Sequence, residues 1–87
     1  MRSRTTKRFW RLFDKLPQTV QLQAGKAYRL WRDDSHHPSL HFKSVHATEP
    51  IYSLRVSRAY RALGLREDDV VTWFWIGSHA DYDDLVR

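Results

Sequence analysis

The sequence predicts an α+β fold: an N-terminal helical hairpin packed on an antiparallel four-stranded sheet, with a short helix at the C-terminal end. Three observations carry this reading. Apolar residues recur at helical spacing up to Trp31, the period changes to two from Leu40 onward, and one late run is apolar on both faces. A chain of 87 residues suits a single domain over 1–87.

The elements follow in order. Phe9, Leu12, Phe13 and Leu16 stand at i, i+3, i+4 and i+7, and Thr5 or Thr6 can cap the helix they define. Pro17 ends that helix and suits the first turn of a second. Val20, Ala24, Ala27 and Trp31 share one face of the second helix, and DDSHHPS at 33–39 stops it. The stretch 40–45 alternates, with Leu40 and Phe42 on one face and His41 and Lys43 on the other, and so reads as a strand. So does 51–56, with Tyr52, Leu54 and Val56 opposite Ser53 and Arg55. SRA makes a turn, YRALGL returns, REDD turns again, and VVTWFWI at 70–76 reads as an interior strand. Gly77 releases the chain, and Ser78 can cap a terminal helix with Asp81 in its first turn. Residues 1–5 can add a brief strand at the sheet edge.

Charge is distributed unevenly. Residues 1–32 carry nine Lys/Arg against Asp14, while 67–87 carry six acids against Arg87, and the whole chain is at +5. A basic excess of this kind favours nucleic acid or an acidic protein as partner, with a solvated surface as the plain alternative. Cysteine is absent and no apolar run approaches a membrane span, so a cytoplasmic location is expected. His36, His37, His41 and His46 match no metal-ligand spacing, so no metal or cofactor is expected. Asp81, Asp83 and Asp84 read as residues favoured near a helix N-terminus.

A three-residue turn at 57–59 would pair Val56 with Tyr60 and set Arg55 opposite Arg61. Two guanidinium groups side by side on one sheet face repel, which is a reason to expect an anion there. The alternative is a different register, or an acidic neighbour for each arginine.

The hairpin with LP between its helices, followed by PSLHFKSV, YSLRV, AYRALGL and WFWIGSHADYDDL, resembles the RelE/ParE superfamily of bacterial toxins from Phe9 to Leu85. The resemblance implies a helical hairpin on one face of the sheet and a functional cleft on the other. It implies a toxin of a type II toxin–antitoxin system. One branch cuts mRNA in the ribosomal A site and the ParE branch inhibits DNA gyrase. By position, Arg61 matches the arginine that contacts the scissile phosphate, and Arg55 and Lys43 match basic substrate-binding positions. His79 and Tyr82 fall where nuclease members keep groups for proton transfer and base stacking. Ser53 departs from the pattern, standing where some members have a lysine. One of Trp73 and Trp75 could face a partner or RNA.

The chemistry of these residue types agrees. Metal-free RNA cleavage needs the 2′-OH deprotonated, the phosphate charge stabilised and the 5′-oxygen protonated. Arginine suits the second task, and histidine either proton transfer. With the resemblance, the expected activity is a ribosome-dependent, metal-independent mRNA endoribonuclease. The alternatives are gyrase inhibition by protein contact or an inactive toxin-like binding module. The implied partners are a cognate acidic, helical antitoxin, the ribosome and mRNA, with operator DNA only for the toxin–antitoxin complex and no membrane.

Overall fold

The computed structural model describes residues 1–86. Its elements are β1 (Arg2–Thr5), α1 (Lys7–Asp14), α2 (Gln18–Asp33), β2 (Lys43–Ser44), β3 (Ile51–Ser57), β4 (Tyr60–Glu67), β5 (Val70–Ser78) and α3 (His79–Val86), with a 3-10 turn at Pro38–Leu40. The strand order is β1-β5-β4-β3-β2. Neighbours from β2 to β5 run antiparallel, and β1 adds a parallel edge to β5.

Local chemistry sets the boundaries. Thr6 caps α1 by accepting from the Phe9 N–H at 3.1 Å. Pro17 stands immediately before α2, where its missing N–H costs nothing. The hairpin between β4 and β5 turns on Asp68 and Asp69, with Asp68 at φ 54°, a left-handed conformation that aspartate tolerates.

The expected strand over 40–45 shrinks to Lys43–Ser44. Pro38 opens the 3-10 turn instead, the His37 imidazole accepts from the Ser39 N–H, and His41 adopts φ 46°. Leu40 and Phe42 still face the core, as their alternation predicts. They reach it from irregular backbone, without a ladder.

Phe9, Ala27, Trp31, Leu40, Leu54, Ala62, Val71, Trp73 and Ile76 form the core between the helices and the sheet. Trp31 is completely buried and meets Trp73 edge-on at 5.3 Å between ring centroids. Leu63, Trp75 and Tyr82 form a second cluster on the opposite face, beneath α3. Trp73 and Trp75, two residues apart, would share a face in a regular strand. They do not, because Leu63 pairs with Trp75 while Gly64 pairs with Trp73, leaving Phe74 as an extra residue. The bulge gives each core its own tryptophan. Both indoles are buried, at 3% and 6% exposure, so neither faces a partner in this conformation.

Gly64 makes this packing possible. A Cβ there would meet Val71 Cγ1 and lie 2.8 Å from Trp73 Cε3. Gly64→Ala is therefore expected to destabilise the fold by about 1–3 kcal/mol through overpacking. Urea titration of the two proteins measures this, and an unchanged midpoint would show that the indole yields freely.

Candidate functional site

The face of the sheet away from α1 and α2 carries the charged side chains singled out by sequence. Arg55 pairs with Arg61 across β3 and β4, as expected. The turn differs from expectation: Ser57, not Val56, pairs with Tyr60. The loop is thus Arg58–Ala59, and Val56 is an extra residue that packs toward the main core. This bulge keeps Arg55 and Arg61 facing each other while sending Val56 inward.

Arg61 is half-buried, and its Nη1 donates to the carbonyls of Ser57 at 2.6 Å, Tyr60 at 3.0 Å and Arg58 at 3.4 Å. The guanidinium is thereby tied to the turn of its own hairpin. Burial, then the nearby Arg55 charge, holds its pKa below the usual arginine value, against opposing contributions from Tyr82 and Asp83. It stays protonated at any working pH. Its position is that of a preformed cation with a cationic neighbour. Arg55 is in neither of the two ion pairs among the described residues, Arg32–Asp33 and His79–Asp83.

Beside this pair, β5 passes into α3 without a loop. Tyr60 pairs with Ser78 and Arg61 with Gly77, so the start of α3 lies against the same hairpin end. Ser78 Oγ accepts from the Asp81 N–H at 3.1 Å, and the His79 N–H donates to Ala59 O at 2.7 Å. The strand end is thus sealed to the β3–β4 turn. Gly77 serves a different end from the release expected of it: a Cβ would lie 2.6 Å from Trp75 Cζ2, so glycine makes room for the indole.

The His79 imidazole is about half exposed, with Nε2 3.4 Å from Asp83 Oδ1. Its ring stacks on Tyr82 at 5.8 Å and 27°. Tyr82 is 8% exposed and packs on Leu63 and Trp75, so its ring does not project outward as a base platform. Lys43 is exposed on β2 and pairs with Ser53, two residues before Arg55 and roughly 7 Å from it along the strand.

The hairpin end therefore gathers Arg55, Arg61 and His79. Tyr82 underlies His79, and Lys43 stands one step away. Asp83 was read from sequence as a helix-terminus acid, yet its carboxylate is the imidazole's partner. The i, i+4 spacing of His79 and Asp83 was the available signal. Two of the four loop histidines act as local acceptors: His37 Nδ1 from the Ser39 N–H, and His46 Nδ1 from the N–H groups of Thr48 and Glu49.

Comparison with known proteins places the fold. Solved structures share the fold at low identity. The RelB–RelE antitoxin–toxin complex from Methanococcus jannaschii matches with a TM-score of 0.72 at 13% identity, over 97% of this chain and 99% of that one. YafQ from E. coli strain BL21(DE3) matches at 0.71 and 12%, over 94% and 98%. The intact E. coli RelBE toxin–antitoxin complex matches at 0.67 and 19%, over 87% and 93%. No curated protein sequence matches significantly. The family model of the ParE-like toxin domain matches residues 18–84, from the start of α2 into α3. The chain accordingly belongs to the ParE-like toxin domain family, within the RelE/ParE superfamily of toxin–antitoxin toxins.

Proposed function

We propose that this toxin is a ribosome-dependent, metal-independent endoribonuclease that cuts mRNA. The observation that carries the reading is the juxtaposition of the Arg55–Arg61 cationic pair with the exposed His79 at one end of the β3–β4 hairpin. In this mechanism the 2′-oxygen attacks the adjacent phosphorus, a 2′,3′-cyclic phosphate forms, and the 5′-oxygen leaves with a proton. Arg61 stabilises the equatorial phosphate oxygens, which carry more charge in the transition state than in the ground state. His79 performs one of the two proton transfers. Asp83 and the Tyr82 ring hold its imidazole in place, so Tyr82 acts by positioning rather than by stacking on a base. Arg55 and Lys43 bind neighbouring phosphates, and Lys43 brings from β2 the ammonium that Ser53 lacks on β3. The site has few groups to orient RNA. The ribosome supplies that positioning, which is a large share of any catalytic barrier reduction.

Lys43→Ala and Arg55→Ala are expected to act mainly on binding. Each should raise KM more than it lowers kcat and reduce the slope of log K against log salt by about 0.7, the value for one single-strand phosphate contact. Cleavage assays over a range of potassium chloride concentrations measure this. An unchanged slope removes the residue from the phosphate path.

The partner in this reading is an acidic, helical antitoxin. Solved relatives include complexes of RelE with RelB, and the toxin's basic N-terminal region offers charge complementarity. Apolar contacts supply most of the affinity, and the charges mainly steer association. Binding to operator DNA belongs to the complex of the two.

A second reading is inhibition of DNA gyrase. The ParE-like family match and Ser53 in place of a lysine favour it. One experiment separates the two: mapping mRNA 5′ ends after induced expression, alongside plasmid supercoiling. New ends clustered within open reading frames support the nuclease. Intact mRNA with lost supercoiling transfers the function to gyrase.

A further inference from the structure

The open edge of β3 has a consequence beyond the cleft. Strand β2 pairs with Tyr52 and Ser53, so among the described residues Leu54–Ser57 has no strand on that side. Helix α2 and the 3-10 turn at Pro38–Leu40 border this gap and line an open hollow of about 350 Å³. Its polar lining is Gln23, Lys26, Ser39, Arg55, Ser57 and Arg58. Gln23, Lys26, Arg55, Ser57 and Arg58 can all donate hydrogen bonds into it, the Ser39 hydroxyl is engaged by His37 Nδ1, and no carboxylate among the described residues lines the pocket. Neither ion pair among the described residues involves Lys26, Arg55 or Arg58. Three like charges around one concavity repel until an anion enters. Ala27, Leu30, Leu40 and Val56 supply its apolar lining.

Arg55 belongs to both places. It pairs with Arg61 on the open face and also lines this pocket at the strand edge. Anions held at the two places would therefore be neighbours, as successive phosphates of one strand are. We propose that the pocket between α2 and the edge of β3 binds an RNA phosphodiester next to the one held at Arg61, so that the strand leaves the cleft around β3 toward α2. This assignment rests on the nuclease reading for its ligand and names a substrate path that the cleft residues alone do not define.

The test uses a single-stranded hexaribonucleotide with 2′-O-methyl sugars, which has no nucleophile and is not cut. Amide shifts of the full chain are followed by two-dimensional NMR during titration. Shifts are expected at Lys26, Ser57 and Arg58 as well as at Arg61 and Gly77. In Lys26→Ala/Arg58→Ala the Ser57 shift should vanish while those at Arg61 and Gly77 persist, and the salt slope of binding should fall by about 0.7. Shifts confined to Arg61 and Gly77, no shifts at all, or an unchanged slope in the double variant overturn the pocket and leave the nuclease reading to its own assay. Pocket shifts in a protein that leaves ribosome-bound mRNA intact keep the pocket as an RNA site and sink the nuclease reading. A polyglutamate peptide that moves the same amides at lower concentration than the RNA reassigns the pocket to an acidic protein and overturns the proposal.

Discussion

Arg61→Ala is expected to lower single-turnover cleavage of ribosome-bound mRNA by about 10²–10³-fold, the range for removing one preorganised electrostatic donor. The guanidinium is held in place before substrate arrives, by three backbone carbonyls of its own hairpin. It therefore needs little reorganisation when charge develops on the phosphate. The same bonds mean that the side chain also serves the fold. Truncation leaves the Ser57 and Tyr60 carbonyls without this donor, so a loss of about 1 kcal/mol accompanies the catalytic loss. In a domain of this size that corresponds to a melting temperature lower by about 4–8 °C. Assays at a temperature where both proteins are folded by circular dichroism separate the two effects. Parental cleavage by the folded variant would remove Arg61 from the phosphate site.

Arg61→Lys sharpens the point. The replacement side chain would meet the same burial and the same Arg55 charge, which lower the arginine pKa. Lysine starts from about 10.4, well below arginine, so the same causes bring its titration nearer the working range. The charged form does the work, so cleavage by Arg61→Lys should decline as pH rises, over a range where the parental enzyme does not. A pH–rate comparison of the two proteins reads this directly. Parallel profiles would show that the site's electrostatics do not reach the reaction.

The helices and the β3–β4–β5 meander were legible because their apolar residues keep a single period over many positions. Phe9, Leu12, Phe13 and Leu16 define one helix face, and Val20, Ala24, Ala27 and Trp31 another, and both faces are indeed turned to the core. The arginine pair was legible because cross-strand pairing near a short turn is constrained to within a residue. The exact pairing was not, since a two-residue loop with a bulge at Val56 and a three-residue loop both keep Arg55 opposite Arg61. The bulge at Phe74 left no mark in VVTWFWI, where every residue but Thr72 is apolar and either face is plausible. Residues 40–45 misled for a related reason. Leu40 and Phe42 are apolar at strand spacing, but the backbone between them turns left-handed at His41. Tyr82 follows His79 by three residues, so the helix puts both on one side, and the lower of the two rings is buried.

His79→Ala carries the second large expectation: a fall of about 10²–10⁴-fold in single-turnover cleavage, the range for losing a positioned proton-transfer group. Stability should change little, because the side chain is about half exposed and its ion pair with Asp83 is solvated on both sides. What truncation removes from the fold is one ring face against Tyr82, while the Ser78 cap and the His79 N–H bond to Ala59 involve no imidazole atom. Activity and folding are thus better separated here than at Arg61. Asp83→Asn tests the positioning claim: an amide can still hold the ring by a hydrogen bond but carries no charge. Its expected loss in single-turnover cleavage is under about 10-fold, and a loss as large as that of His79→Ala would give Asp83 more than a positioning role. If the folded His79→Ala protein cuts mRNA at the parental rate, the proton is moved by another group, and the cationic pair alone remains of the proposed site. If the parental protein never cuts mRNA but removes supercoiling from plasmids, the Arg55–Arg61 pair instead becomes a docking surface for an acidic protein face, with no reaction for His79 to perform.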